Sequence, residues 1–190
     1  MEFKKRNPKI FVISGKANSG KDTTAEIIDN QIMLKGLKVV NLQISSYIKM
    51  YASKISGWDG SEDTKPRTLL QELGTSIIRE KIDNEFFIKR LIGDIEVYSY
   101  YFDAITISDG RLPEELDSIY NAFDNVYRIN IVRPNYDNHL NAKELKHRTE
   151  VGLDNYDNYE YKIVNDGSLE DLSNKIRKIV DEVIKNEKTK

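Results

Sequence analysis

Short apolar runs alternate along the chain with longer stretches whose apolar residues return every three or four positions. The first run, Ile10-Phe11-Val12-Ile13, is apolar at every position and ends at Ser14 and Gly15. Successive strand side chains point to opposite faces, so this run predicts a strand covered on both sides, as inside a parallel sheet. Similar runs predict strands over 37–42, 105–107, 126–132 and 161–164. Between them lie helical patterns. One starts near Gly20, with Ala25, Ile27, Ile28, Ile32 and Met33 for its buried face, and closes at Gly36. A second carries Pro66 in its first turn and runs to about Lys81, with Leu69, Leu70, Leu73 and Ile77 toward the core. At about 100° per residue, Arg67, Gln71, Thr75 and Arg79 progress round its opposite side, and Ile78 falls among them. At the C-terminal end Ser168 and Asp171 form a start resembling a capping box. Leu169, Leu172, Ile176, Ile179, Val180 and Val183 make one apolar stripe behind it. Five strands separated by helices predict a doubly wound α/β fold with helices on both faces of a parallel sheet.

Two polar stretches interrupt this rhythm. Residues 56–65 hold Gly57, Gly60, several acids and the single tryptophan, Trp58, which reads as ordinary packing. Residues 133–159 hold Pro134, many Asn and Asp residues and a short helix expected over 142–147. Both are long for plain connections and read as insertions within one domain, since 190 residues fit a single domain. The 29 basic and 31 acidic residues leave a net charge of −2, which argues against a general coat for nucleic acid or membrane. A small-molecule partner remains. The absence of cysteine excludes disulfides, iron–sulfur clusters, thiolate zinc sites and a thiol nucleophile. His139 and His147, eight residues apart, do not make a metal site. No apolar core follows the charged N-terminus, and no run approaches the ~20 residues that cross a bilayer, so a cytoplasmic protein is expected.

The sharpest local signal is Gly15-Lys16-Ala17-Asn18-Ser19-Gly20-Lys21, the glycine–four–glycine–lysine core of a P-loop, between a buried strand and an amphipathic helix. Gly15 and Gly20 allow the chain to wrap an oxyanion, and the N–H groups of the loop, Ala17 and Ser19 included, can then point inward. The helix adds its positive end, and Lys21 adds a mobile charge for the β- and γ-phosphates. The next residue is Asp22, where a hydroxyl that ligates magnesium is usual. Asp22 could bind the metal directly or through water, or simply favour the helix dipole. Thr23 is then assigned a hydrogen bond to the nucleotide phosphates. At the end of the strand around 104–109, Asp109 is a candidate magnesium-organising or base-like carboxylate, with Arg111 two residues on; an acid in that place can also be a turn residue.

The run Gly15 to Thr23, with its Gly-Lys-Asp-Thr ending, resembles the P-loop of phage-type deoxynucleoside monophosphate kinases. The resemblance continues through Arg67-Thr68-Leu69-Leu70-Gln71-Glu72-Leu73-Gly74-Thr75, then Ser108-Asp109-Gly110-Arg111-Leu112-Pro113-Glu114-Glu115, and Asn165-Asp166-Gly167-Ser168-Leu169-Glu170. It implies the P-loop nucleoside monophosphate kinase fold, with a five-stranded parallel sheet, an acceptor-binding helical insertion over about 45–100 and a lid over about 133–159. It further implies transfer of the γ-phosphoryl group of ATP to a nucleoside monophosphate, with Mg2+. On that reading Arg67 and Arg79 meet the acceptor phosphate and Gln71 reads the base or ribose. Arg111 bridges both phosphates, and Arg133 and Arg148 close over ATP from the lid. Arg67, Gln71 and Arg79 can also be read as a solvated helix face, and Arg133 and Arg148 as loop surface charges. Alternatives are a dephospho-CoA kinase, or a P-loop protein that binds nucleotide without turnover; the lack of an Asn-Lys-x-Asp signature counts against a GTPase. A homodimer is an allowed assembly that the sequence does not decide.

Overall fold

In a computed structural model, residues 4–136, 144–146 and 148–185 are described. The strands are β1 (Lys9–Ser14), β2 (Val39–Leu42), β3 (Ala104–Gly110), β4 (Val126–Val132) and β5 (Tyr161–Val164). They form one sheet in the order β2-β3-β1-β4-β5, and every neighbouring pair is parallel. β1 is the central strand and its alternation divides the core. Phe11 and Ile13 face helices α1 (Lys21–Leu34) and α7 (Leu169–Lys185). Ile10 and Val12 face the other layer, which also draws residues from two helices that follow α2 (Ser46–Ser56) and α3 (Arg67–Gln71), namely α4 (Phe86–Tyr98) and α5 (Pro113–Ala122). The predicted α/β fold with both faces covered is therefore what forms.

The amphipathic helices pack with small departures from expectation. In α1 the buried residues Ala25, Ile28 and Ile32 repeat at helical spacing, and Met33, about 100° further round, is exposed. In α7 the core stripe is Leu172, Ile176, Val180 and Val183, while Leu169 in the first turn lies outside it. The capping box is present: the Asp171 N–H donates to Ser168 Oγ at 3.1 Å, and the Ser168 N–H donates to Asp171 Oδ2 at 2.9 Å. Trp58 packs with Ala52 and Leu73, and its Nε1–H donates to the Ser61 carbonyl.

The middle helix departs more. Pro66 stands just before α3, and after Gln71 the chain continues as a π-helical segment, Glu72–Ile82. A π-helix turns by about 80° per residue, because its hydrogen bonds reach five residues back. The Asp83 N–H accordingly donates to the Ile78 carbonyl at 2.9 Å. At that turn Ile78 falls about 40° from Leu73, where an α-helix would put it about 140° away, and both are buried, while Ile77, about 40° to the other side, is the one turned outward. The expectation that put Ile77 in the core and Ile78 among the polar residues is corrected by this change of pitch. Arg79 is carried inward with Ile78.

The 133–159 stretch is described only in part. Residues 144–146 form a single 3₁₀ turn and α6 is Arg148–Val151. The rest of the short helix expected over 142–147 lies outside the described residues, as do His139 and His147. Its returning arm is fixed by Arg128 on β4. This arginine donates to Glu160 and Asp117, and to the hydroxyl of Tyr156, with its guanidinium 3.8 Å from the Tyr120 ring centroid. Its charge is buried but paired on two sides. Among the described residues, no helix is long and apolar enough to cross a membrane.

Candidate active site

The segment between β1 and α1 leaves the sheet at the carboxyl end of its central strand, and the chain runs from β1 to β2 on one side but from the adjacent β3 to β4 on the other. Ligand crevices of doubly wound folds open there. Gly15 has φ +150°, and a Cβ on it would lie 2.4 Å from the Ile131 carbonyl oxygen and 2.7 Å from Ser19 Oγ. Gly20 has φ +102°, and a Cβ there would lie 2.8 Å from Asn165 Nδ2. These two positions need glycine both for conformation and for room. Asn165 also donates from Nδ2 to the Ser19 carbonyl at 3.0 Å, so the turn between β5 and α7 holds the loop.

The loop is built for an anion. Ser19 Oγ is buried without a hydrogen-bond partner, and Lys21, a residue 6 % exposed, donates from Nζ to the Lys16 carbonyl at 2.7 Å. Burial, reinforced by the positive charge of Arg111, lowers the Lys21 pKa from 10.5 to about 8, against the opposing pull of Glu150, Asp22 and Asp109. One anion is supplied by the chain itself. Glu150 in α6 accepts the Ala17 N–H on Oε2 at 3.0 Å, and its Oε1 accepts from Arg111 Nη1. The residues thus fit phosphate groups through the Ala17 N–H, an orphaned hydroxyl and a lysine poorly compensated without an anion, while the Ser19 N–H donates to the Lys16 carbonyl at 3.2 Å. For a divalent cation the fit is of another kind. Among the described residues, no group of three or more His, Cys, Asp or Glu could hold a metal. Asp22 and Asp109 both line the cleft, and magnesium is usually held by one or two carboxylates with phosphate oxygens and water.

From the loop a cleft of about 900 Å³ runs past Asp109 and Arg111 to the helical side of the molecule. Lys21 and Asp22 line one end, and Arg67, Gln71, Thr75 and Arg79 line the other. Asp109 accepts the backbone N–H groups of Ile44 and Ser45, at 2.8 and 2.9 Å, and so ties β3 to the turn that leads into α2. Arg79 donates from Nη2 to Glu115 at 2.9 Å and from Nη1 to the Gly74 carbonyl at 2.8 Å, and its guanidinium lies 5.1 Å from the Phe87 ring centroid. The structure therefore brings together Lys21, Asp22, Asp109, Arg111, Arg67, Gln71 and Arg79. It does not bring in the other three candidates. Thr23 is half-buried on α1 outside the cleft lining, and the neighbouring Thr24 hydroxyl turns back to the Gly20 carbonyl. Arg133 stacks on Tyr136 and donates from Nη1 to the carbonyl of the P-loop residue Asn18 at 3.5 Å, but does not line the cleft. Arg148 pairs with Glu114 on α5 and does not line the cleft.

Residues that the sequence reading did not single out also shape the site: Glu115, Asn165, and Tyr136, whose hydroxyl donates to the Ala17 carbonyl. Glu115 had a legible signal. Pro113 followed by an acid at the third helical position marks a helix start. Asn165 and Tyr136 act over more than a hundred residues and leave no local pattern.

The profile of the family described as deoxynucleotide monophosphate kinase matches residues 33–176. The P-loop lies before that span, so the loop and the family match are separate observations. Among solved structures, an APS kinase of Mycobacterium tuberculosis in complex with AMPPNP and APS superposes with a TM-score of 0.61 at 12 % identity, covering 95 % of this chain and 99 % of that one. Shikimate kinase of Aquifex aeolicus gives 0.54 at 13 % identity over 93 % and 99 %. A gluconokinase of Sinorhizobium meliloti gives 0.53 at 9 % over 95 % and 96 %. At these identities the likeness is one of fold. No curated protein sequence matches.

Proposed function

We propose, since this chain belongs to the deoxynucleotide monophosphate kinase family, that it moves the γ-phosphoryl group of ATP onto a nucleoside or deoxynucleoside monophosphate. The observation that carries this reading is the continuity of the cleft, which joins the P-loop to an arginine-bearing helical wall. An oxygen of the acceptor phosphate attacks the γ-phosphorus, the bond from that phosphorus to the β-bridging oxygen breaks, and two diphosphates result. Little covalent work falls to the protein; it aligns the two substrates and neutralises charge spreading over the transferred group.

On this reading the N–H groups of Gly15, Ala17 and Gly20, and that of Ser19 once it leaves the Lys16 carbonyl, hold the ATP phosphates, and Lys21 follows the charge toward the β,γ bridge. Arg111, midway along the cleft, meets the transferred group. Arg67 and Arg79 take the acceptor phosphate with planar forks suited to paired oxygens, and Gln71 reads base or sugar. Asp22 and Asp109 would hold magnesium, which when bound would supply positive charge to screen the phosphates. Asp109 already serves the β2–α2 turn through both oxygens, so its first effect is to set the floor of the acceptor pocket. Arg133, already bonded to the loop at Asn18, reaches ATP from there, whereas Arg148 would have to leave Glu114. The expected setting is the cytoplasm, and a homodimer is the expected form if the chain self-associates.

The test is ADP release from ATP and Mg2+ across ribo- and deoxynucleoside monophosphates and dephospho-CoA. Turnover with one or a few monophosphates is expected. Turnover with dephospho-CoA alone would overturn the acceptor, and nucleotide binding without turnover on any acceptor would overturn the kinase.

A further inference from the structure

Glu115 lies in the first turn of α5 with its side chain almost wholly enclosed, 5 % of the residue being exposed. An ionised carboxylate in such a place is costly unless its oxygens are met by donors. Both are met, by different parts of the chain. Oε2 accepts the backbone N–H groups of Arg111 and Leu112, at 3.0 and 3.1 Å. Oε1 accepts Arg79 Nη2 at 2.9 Å. The first pair is what any acid at the third helical position can do for a helix start. The second is not explained by capping, because Arg79 comes from the π-helical segment 36 residues earlier. Burial raises the carboxyl pKa, and the two N–H groups and the Arg79 charge oppose that rise.

Arg79 is held on two further sides, by the Gly74 carbonyl and the Phe87 ring, which fixes the plane of its fork. Arg111 is held at its backbone by the same carboxylate that holds the head of Arg79. We propose that Glu115 is a positioning residue that sets the distance between Arg79 and Arg111, and through them between the acceptor phosphate and the transferred phosphoryl group. This rests on the phosphotransfer reading above. Phosphoryl transfer depends steeply on that spacing, since a misplacement of about 1 Å can cost on the order of a hundredfold.

The two halves of the carboxylate can be separated. In Glu115→Gln the amide oxygen still accepts the Arg111 and Leu112 N–H groups, but the amide nitrogen turns a donor toward the donor on Arg79. The cap survives and the link to Arg79 breaks. We expect kcat to fall by about tenfold to a hundredfold and the acceptor KM to rise by about tenfold, with ATP affinity, read by direct titration, within about twofold. The double variant R79A/E115Q should be no worse than R79A, because both changes act through one fork. E115Q kinetics within twofold of wild type, equal losses on ATP and acceptor, or losses that multiply in the double variant would each overturn the proposal. Should E115Q not fold, Arg79→Lys reads the link from its other end, keeping the charge and losing the fork; the same split is expected, and an effect of twofold or less would overturn it. Wild-type protein inactive on every monophosphate would remove the phosphotransfer reading itself, a result distinct from an active wild type with an unaffected E115Q.

Discussion

Lys21 is an ammonium in surroundings that disfavour its charge, and this gives the loop a measurable property. The free protein loses the Lys21 proton near pH 8, against 10.5 for an ordinary lysine. A bound polyphosphate stabilises the charged form and raises that pKa again. Between the two values the complex therefore holds a proton that the free protein has released. Titration calorimetry of ADP binding above pH 8, in two buffers of different ionisation enthalpy, should show uptake approaching one proton, with affinity falling by up to about tenfold per pH unit. Binding without uptake would take Lys21 out of the phosphate site. The glycines around it were legible in the sequence because φ angles of +150° and +102° leave little else. Asp109 was legible only as an acid at a strand end. Its employment by the Ile44 and Ser45 N–H groups depends on where the neighbouring strand β2 ends, which local pattern does not carry.

At the level of elements, the π-helical segment is where pattern reading and structure part. Its sequence, Glu72 to Ile82, carries no breaker after Gly74, and a 100° count places Ile77 inward. The wider turn brings Ile78 round to the same side, and it is Ile78 that is covered, 5 % exposed against 39 % for Ile77. Chemical denaturation can tell the two pitches apart. Ile78→Ala should cost about 2–4 kcal/mol as a core truncation, and Ile77→Ala less than about 1 kcal/mol; the reverse ranking would restore the ordinary helix. Strands were the easiest elements to foresee, since β1 has few readings other than a doubly covered strand, and α7 declares its own start through Ser168 and Asp171. The π segment was hidden because its hydrogen-bond pitch is chosen by packing, with Leu73 and Ile78 both seeking cover. The same pitch delivers Arg79 to Glu115, so the arginine-bearing wall of the cleft was legible in its residue types and not in its geometry.

Across the whole molecule, the 133–159 stretch meets the P-loop at several points. Glu150 accepts the Ala17 N–H, Lys16 pairs with Asp154 at 2.9 Å, and the Tyr136 hydroxyl donates to the Ala17 carbonyl. Gly152 fits closely against the turn after β3, where a Cβ would meet Leu112 Cδ2 at 2.9 Å and the Arg111 carbonyl at 3.1 Å. Nucleotide phosphates and the Glu150 carboxylate want the same N–H and the same arginine. Glu150→Gln should therefore bind ADP more tightly, by about tenfold if one charge-assisted hydrogen bond no longer has to be exchanged. Unchanged or weaker binding in calorimetry would show that the carboxylate does not compete. A chain that fills its own cradle with one negative charge sets a threshold of valence. Monovalent anions exchange with Glu150 at no electrostatic gain, while a polyphosphate brings several charges against one. The loop is thereby shielded from the abundant small anions of its medium and stays open to the highly charged ligands that can displace its own side chain.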